Sequence, residues 1–216
     1  MTEGTDFFDI SPVINEQTAV FPGDTPFRRE ILMDFKKGQH LLLSNMKSTV
    51  HIGAHADGPN HYDPQGGGIG ERDLSFYMGR AQVMTVSPPR GERIQMQHLP
   101  TTLIEAPRIL FRTRSFPDSS TWNDDFNSVS VEVLDFLSKN GVVLVGIDTP
   151  SVDPAESKAL EAHNAIARHG FAILEGLALE DVEDGLYSLV ALPLRLQDFD
   201  ASPVRAVLFK NPALFG

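Results

Sequence analysis

The chain contains no cysteine. That removes disulfides, zinc–thiolate clusters and a cysteine nucleophile together. Its apolar runs are short, and none approaches the roughly 20 residues that span a bilayer. Positive charge is scarce: 18 Lys+Arg face 29 Asp+Glu, for a formal charge of −11, and no basic run interrupts the acidic balance. A phosphate backbone needs a positive surface, so no nucleic-acid partner is expected. The opening Met1-Thr2-Glu3-Gly4-Thr5-Asp6 is acidic and polar where a secretory signal is basic and then apolar, so a cytoplasmic location is expected. What remains is ordinary globular composition, 41% hydrophobic and 22% charged. A length of 216 residues fits a single domain, 1–216, with room for a sizeable core.

Against that background one stretch stands out. Of 7 histidines in the chain, His51, His55 and His61 fall within eleven positions, with Asp57 among them. Imidazole nitrogens and carboxylate oxygens suit zinc and neighbouring divalent ions. Gly53, Gly58 and Pro59 argue against a helix here. In an extended strand His51, His55 and Asp57 share one face, because side chains alternate with period two. A straight strand would hold the two histidines roughly 13 Å apart at about 3.3 Å per residue, too far for one ion. The chain must therefore curl, and Gly53 is the place for the bend. Pro59 then turns His61 to another side. On this reading His51, His55 and Asp57 are metal ligands and His61 stands apart from them.

Elsewhere Asp9–Ile14 reads as a first strand. The loop around Phe21-Pro22-Gly23-Asp24 is fixed and non-helical. Strands are expected at Arg28–Met33, Leu41–Met46, Ala81–Ser87 and Arg108–Thr113. The glycine-rich run 66–70 lacks every phosphate-loop signature and reads as a plain loop. Trp122 reads as an anchor of the surface excursion 115–128. Val131–Lys139 is a helix stopped by Asn140-Gly141, and Val142–Ile147 is a strand covered on both faces. Asp153 followed by Pro154 and Glu156 marks the start of a helix running to about His169.

Within that helix His163, taken alone, reads as a solvated residue. Phe171–Leu177 is a strand that places Glu175 on one face with Phe171, Ile173, Leu177 and Leu179. A carboxylate in that apolar layer is costly unless paired or metal-bound, which points to function. Leu186–Leu196 and Val204–Phe209 close the chain as strands, joined by a connector over 197–203. Strands with few helices suggest a mixed sheet or partly closed barrel with outer helices, an α/β fold.

His51, Gly53, His55, Asp57, Pro59 and His61 together match the H-x-G-x-H-x-D-x-P-x-H signature of the cyclase-like metal hydrolases. Phe21-Pro22-Gly23-Asp24-Thr25-Pro26, Gly146–Ser151, the His163 and Glu175 pair, and Ala201–Arg205 extend the likeness. The chain resembles the bacterial kynurenine formamidases (arylformamidases). The resemblance implies a swivelling β/β/α fold, a homodimer and two divalent metal ions per chain, usually zinc, with manganese the alternative. It further implies that His51 and His55 hold the first ion, Asp57 bridges, His163 binds the second and Glu175 contacts both. His61 would be the general acid/base. The implied reaction is hydrolysis of an aryl formamide, N-formyl-L-kynurenine, to L-kynurenine and formate. Phe21 stands where those enzymes commonly carry tryptophan, so it is the expected aryl contact with the indole N–H lost. Hydrolysis of a cyclic amide such as isatin, and a non-catalytic metal-binding dimer, are the competing readings. No G-x-S-x-G elbow supports a serine mechanism.

Overall fold

The computed structural model describes residues 6–215, so the acidic opening 1–5 lies outside the described residues. In chain order the first strands are β1 (Phe7–Asp9), β2 (Arg28–Met33), β3 (Leu43–Lys47), β4 (His55–Asp57), β5 (Met78–Thr85) and β6 (Arg93–Ile94). Next come β7 (Arg108–Arg112), β8 (Ser128–Val129), helix α1 (Val131–Lys139), β9 (Leu144–Ile147) and helix α2 (Glu161–His169). The chain closes with β10 (Ala172–Glu175), β11 (Gly185–Val190), β12 (Ala201–Pro203) and β13 (Val207–Phe209).

Among the described residues, nine strands form one sheet in the order β1-β13-β11-β5-β7-β9-β10-β4-β12, curled into a half-barrel. Its centre, β5-β7-β9-β10, is parallel; the flanks are antiparallel. Period-two alternation sorts the central strands onto two cores. Ile109, Phe111, Val145, Ile147 and Ile173 pack with Leu134 and Leu137 of α1 and Ile166 of α2. Leu110, Leu144, Ala172 and Leu174 face the other way, into the curl, with Tyr187, Leu189 and Leu208. This is the mixed sheet with outer helices expected from the sequence.

Several elements differ from expectation. The first strand is Phe7–Asp9, not Asp9–Ile14, because Pro12 cannot donate to a ladder. Leu186–Leu196 is a strand only to Val190, as Pro193 follows, and the connector before Val204 itself contains β12, paired with β4. The second helix begins at Glu161 rather than Pro154. Leu160 takes a left-handed backbone there, φ 47°, at the N-cap position. Asp153 still caps that helix, from across the intervening loop, accepting from the N–H groups of Ala162 and His163 at 3.0 Å each. Glu175 shares its core with Phe171 and Ile173, but Leu177 and Leu179 join the opposite one. Gly176 (φ 65°) breaks the alternation between them.

Gly53, at φ 58°, makes the bend the motif requires, and Gly176 packs directly on it. A Cβ at Gly176 would overlap the carbonyl oxygen of Gly53. Gly176→Ala should therefore cost about 2 kcal/mol or more, combining left-handed strain with the overlap. Chemical denaturation of the purified variant measures it; unchanged stability would show that the two backbones can separate freely.

Candidate metal centre

Two strands, a helix and a loop build the centre. Alternation puts His55 and Asp57 of β4 on one face, and β10 pairs antiparallel with β4 so that Glu175 lies directly opposite His55. Helix α2 turns Ala162, His163, Ala165 and Ile166 inward, which brings His163 over the same face. His51 arrives from the loop curled by Gly53. His163 is therefore not the solvated helical residue it seems in isolation. It is 3% exposed, as are His55 and Glu175, and Asp57 is 1% exposed.

The two carboxylates each present both oxygens to imidazoles. Asp57 Oδ1 lies 3.2 Å from His51 Nδ1 and 3.6 Å from His55 Nε2, while Oδ2 lies 3.5 Å from His163 Nε2. Glu175 Oε2 lies 3.2 Å from His55 Nε2, and Oε1 lies 3.8 Å from His163 Nε2. One side of the pair thus gathers His51 and His55, and the other His163. Ligand atoms of His55, Asp57 and Glu175 all fall within 4.8 Å of one another, as do those of His51, Asp57 and His61.

These contacts are at ion-pair distance but lack hydrogen-bond direction. His55 Nε2 and both Asp57 oxygens are buried without a hydrogen-bond partner. Unsatisfied polar atoms at such depth are costly, and converging lone pairs of this kind fit a cation. The outward nitrogens are all occupied. His51 Nε2 meets Asp200 Oδ2 at 3.0 Å, His55 Nδ1 meets the Gly53 carbonyl at 3.1 Å, and His163 Nδ1 meets Asp153 Oδ2 at 2.8 Å. An outer partner on each ring fixes its tautomer and aims the free nitrogen inward, the usual support of a metal-binding histidine. The residues present fit a site for one or two divalent ions.

Electrostatics follow from this crowding. Burial disfavours charge on His51 and His163, but Asp57, Asp200 and Asp153 outweigh it and hold the rings at about 9 and about 10. Burial would likewise raise Asp153, yet hydrogen bonds from His163, the Ala162 and His163 amides and Arg93 bring it to about 2. Asp57 lies well below the carboxylate range, its burial overcome by His163, His51 and His55. His61 differs. Burial pushes it below the ordinary imidazole value, so its ring is neutral near pH 7.

His61 ends a short turn, Pro59–His61, with its amide on the Gly58 carbonyl at 2.9 Å. Its ring lies 4.3 Å from that of His51, its side chain is 34% exposed, and Nδ1 stands 3.7 Å from Asp200. Phe21 packs against Trp122, ring centroids 4.6 Å apart, and both line a cleft of about 200 Å³ that reaches His51 and His55. Phe21 also lines a second cleft holding His61, His163 and Glu175. Trp122 thus forms a wall of the site, where the sequence suggested only a loop anchor.

A family model described as "Putative cyclase" matches residues 8–154. This chain belongs to the Cyclase family. Among solved structures, a potential metal-dependent hydrolase with cyclase activity is 24% identical, covering 95% of this chain and 98% of its own, with a TM-score of 0.81. A predicted metal-dependent hydrolase from Bacillus stearothermophilus is also 24% identical, with coverage of 95% and 98% and a TM-score of 0.76. An isatin hydrolase bound to the product analogue thioisatinate is 18% identical, with coverage of 94% and 91% and a TM-score of 0.74. These likenesses establish the fold of this Cyclase-family chain.

Asp153 and Asp200 were not among the sequence candidates. Asp153 carries the signature of a helix cap, which it also is, and Asp200 lies 149 residues from the histidine it supports. Asp57→Asn should sharply lower bound metal per chain. Asp153→Asn should weaken metal affinity roughly 10–100-fold, the usual cost of removing an outer partner. Metal analysis and chelator competition on purified variants measure both, and full retention in Asp57→Asn would show that its oxygens are not ligands.

Proposed function

We propose that this chain is a metal-dependent hydrolase of aryl formamides, cleaving N-formyl-L-kynurenine to L-kynurenine and formate. The observation that carries this reading is the aromatic wall of Phe21 and Trp122 beside the buried histidine–carboxylate cluster. His51, His55, Asp57, His163 and Glu175 would hold two divalent ions, zinc by preference for this nitrogen and oxygen set, with manganese as the alternative. When bound, the ions supply a water of lowered pKa and polarise the formyl oxygen.

The chain's own residues do the rest. Phe21 and Trp122 hold the flat aryl ring, and stacking of this kind fixes the scissile C–N bond against the cluster. His61 sits exposed at the rim, its ring neutral, with one ring nitrogen toward Asp200. It takes a proton from the attacking water and gives it to the departing aniline nitrogen as that bond breaks. Water adds its oxygen to the formyl carbon; one of its protons ends on the amine, and the other is released as the formic acid ionises to formate. A cyclic amide is the second reading, favoured by the isatin hydrolase among the similar structures. It too places an aryl ring beside an amide bond.

Formate release from N-formyl-L-kynurenine, compared with ring opening of isatin, tests the reading. Faster turnover of isatin would replace it. His61→Ala should keep its metals and lose roughly 10²–10⁴-fold in rate. Loss of metal along with activity would make His61 a ligand instead.

We also infer a homodimer. The β2–β3 hairpin forms a separate two-stranded sheet, and such a sheet is marginal without packing on one face. Ile31, Leu32, Phe35, Leu42, Leu43 and Met46 are all exposed on it or its turn. A second copy would cover them. Light scattering should give twice the chain mass, and Leu43→Glu should shift it toward the monomer; a monomeric wild type ends this inference.

A further inference from the structure

The aromatic cleft contains a pair of opposite charges that the hydrolysis does not use. Arg114 and Glu180 line it together with Phe21, Phe116 and Trp122. Arg114 Nε lies 3.4 Å from Glu180 Oε2, and the two side chains are 51% and 69% exposed. A pair this open adds little to stability. Its backbone is nonetheless held on both sides, by half-buried Asp148 and buried Arg112.

Arg114 has a φ of 59°, a left-handed conformation that an arginine adopts only where its surroundings enforce it. Asp148 enforces it. Its carboxylate accepts from the N–H groups of Thr113 and Arg114 at 2.8 Å each and from the Thr113 hydroxyl at 2.7 Å. Glu180 is fixed from the neighbouring strand. Buried Arg112 donates to the carbonyls of Glu180, at 3.4 Å, and Val182, and reaches Asp184 at 3.3 Å. Strain held in place at a cleft points toward a binding role. Preorganised charges bind a ligand with less ordering cost than mobile ones.

We propose that Arg114 and Glu180 form a subsite for a zwitterionic α-amino acid head group, the guanidinium taking the carboxylate and the Glu180 carboxylate taking the ammonium. The geometry suits it. Arg114 meets Glu180 through Nε, and its terminal nitrogens make no hydrogen bond among the described residues. They are therefore available to a carboxylate, which a guanidinium fork binds through two parallel N–H groups. A ligand of one sign would leave the other partner opposed or idle. A bare aryl amide would gain nothing from either. A zwitterion satisfies both and lays its ring along Phe21 and Trp122. The subsite thus sets specificity for aryl substrates that carry an amino acid. Its place in turnover rests on the formamidase reading, but its ligand binding does not.

Trp122 is the chain's one tryptophan and lines this cleft, so its fluorescence reports occupancy without any turnover. Metal-loaded wild type, Arg114→Asn and Glu180→Gln would each be titrated with L-kynurenine and with 2-aminoacetophenone, the same aryl ketone without the head group. Asparagine tolerates the left-handed backbone, which keeps the loop intact. Both variants should bind L-kynurenine roughly tenfold more weakly or worse, as loss of a charge-assisted hydrogen bond implies. Their affinity for 2-aminoacetophenone should stay within about twofold of wild type on the same grounds. Equal weakening for both ligands, or no weakening for either, would overturn the subsite. Formate release from N-formyl-L-kynurenine, measured in parallel, separates the two readings. Its absence in wild type, with head-group-dependent binding intact, would remove the formamidase reading and leave the subsite standing. Normal formate release with three equal affinities would do the reverse.

Discussion

The structure depends on burying two carboxylates, Asp57 and Glu175, against three imidazoles at the floor of the two clefts. Isolated charges at that depth are expensive, and a charge left unpaired more so. Here both oxygens of each carboxylate face nitrogens, while each outward ring nitrogen has its own acceptor on Asp200, Gly53 or Asp153. The cluster is therefore arranged from outside inward, with its unsatisfied atoms at the centre. That pattern separates it from an ordinary buried salt bridge, in which the inner atoms are the ones that pair.

The sheet's mixed direction makes this arrangement possible. Parallel pairing of β9 and β10 brings the two ends of α2's crossover together, and antiparallel β4 then lies beside β10 with His55 opposite Glu175. The close approach of Gly53 and Gly176 lets the two ligand-bearing segments touch at backbone distance. The glycine-rich run 66–70 serves the same end. Gly66 lies against the backbone of Pro59 so closely that a Cβ there would overlap it, and the Gly67 carbonyl accepts from Asn60 at 3.2 Å. The loop thus holds the turn that presents His61, a packing role that the absence of a phosphate signature leaves open.

The sequence was most legible where chemistry is local. His51, His55 and Asp57 stand in one short stretch, and Gly53 bends it as spacing alone required. Helix α1 has the bounds its periodicity predicts, because a serine cap and Asn140-Gly141 delimit it. Legibility failed where a residue serves two purposes or acts at long range. Asp153 looks like a helix cap and is one, yet it also supports His163. His163 on its own helix has no mark of burial, since its surroundings come from strands far away in sequence. Arg114 and Glu180 carry no motif at all. Their meaning comes from Asp148 and Arg112, which hold their backbones at one cleft.

Substrate choice and chemistry consequently reside in different parts of the chain. The ligand cluster is built on strand and helix positions, where burial and register leave little latitude. The cleft walls come from loops: Phe21 from a proline-rich turn, Trp122 and Phe116 from the excursion after β7, and Glu180 from the turn before β11. Loops can change without disturbing the sheet, so a shared fold conveys the cluster but not the ligand. An isatin hydrolase with a TM-score of 0.74 can thus share this architecture whatever the substrate here. A cyclic aryl amide and an aryl formamide look alike at the scissile bond. They differ at the far end of the molecule, and the charged pair in this chain lies in the walls of the cleft, among the loops, rather than at the ligand cluster. On the proposed reading, substrate identity in this chain is therefore a question about Arg114, Glu180 and the aromatic wall more than about the histidines.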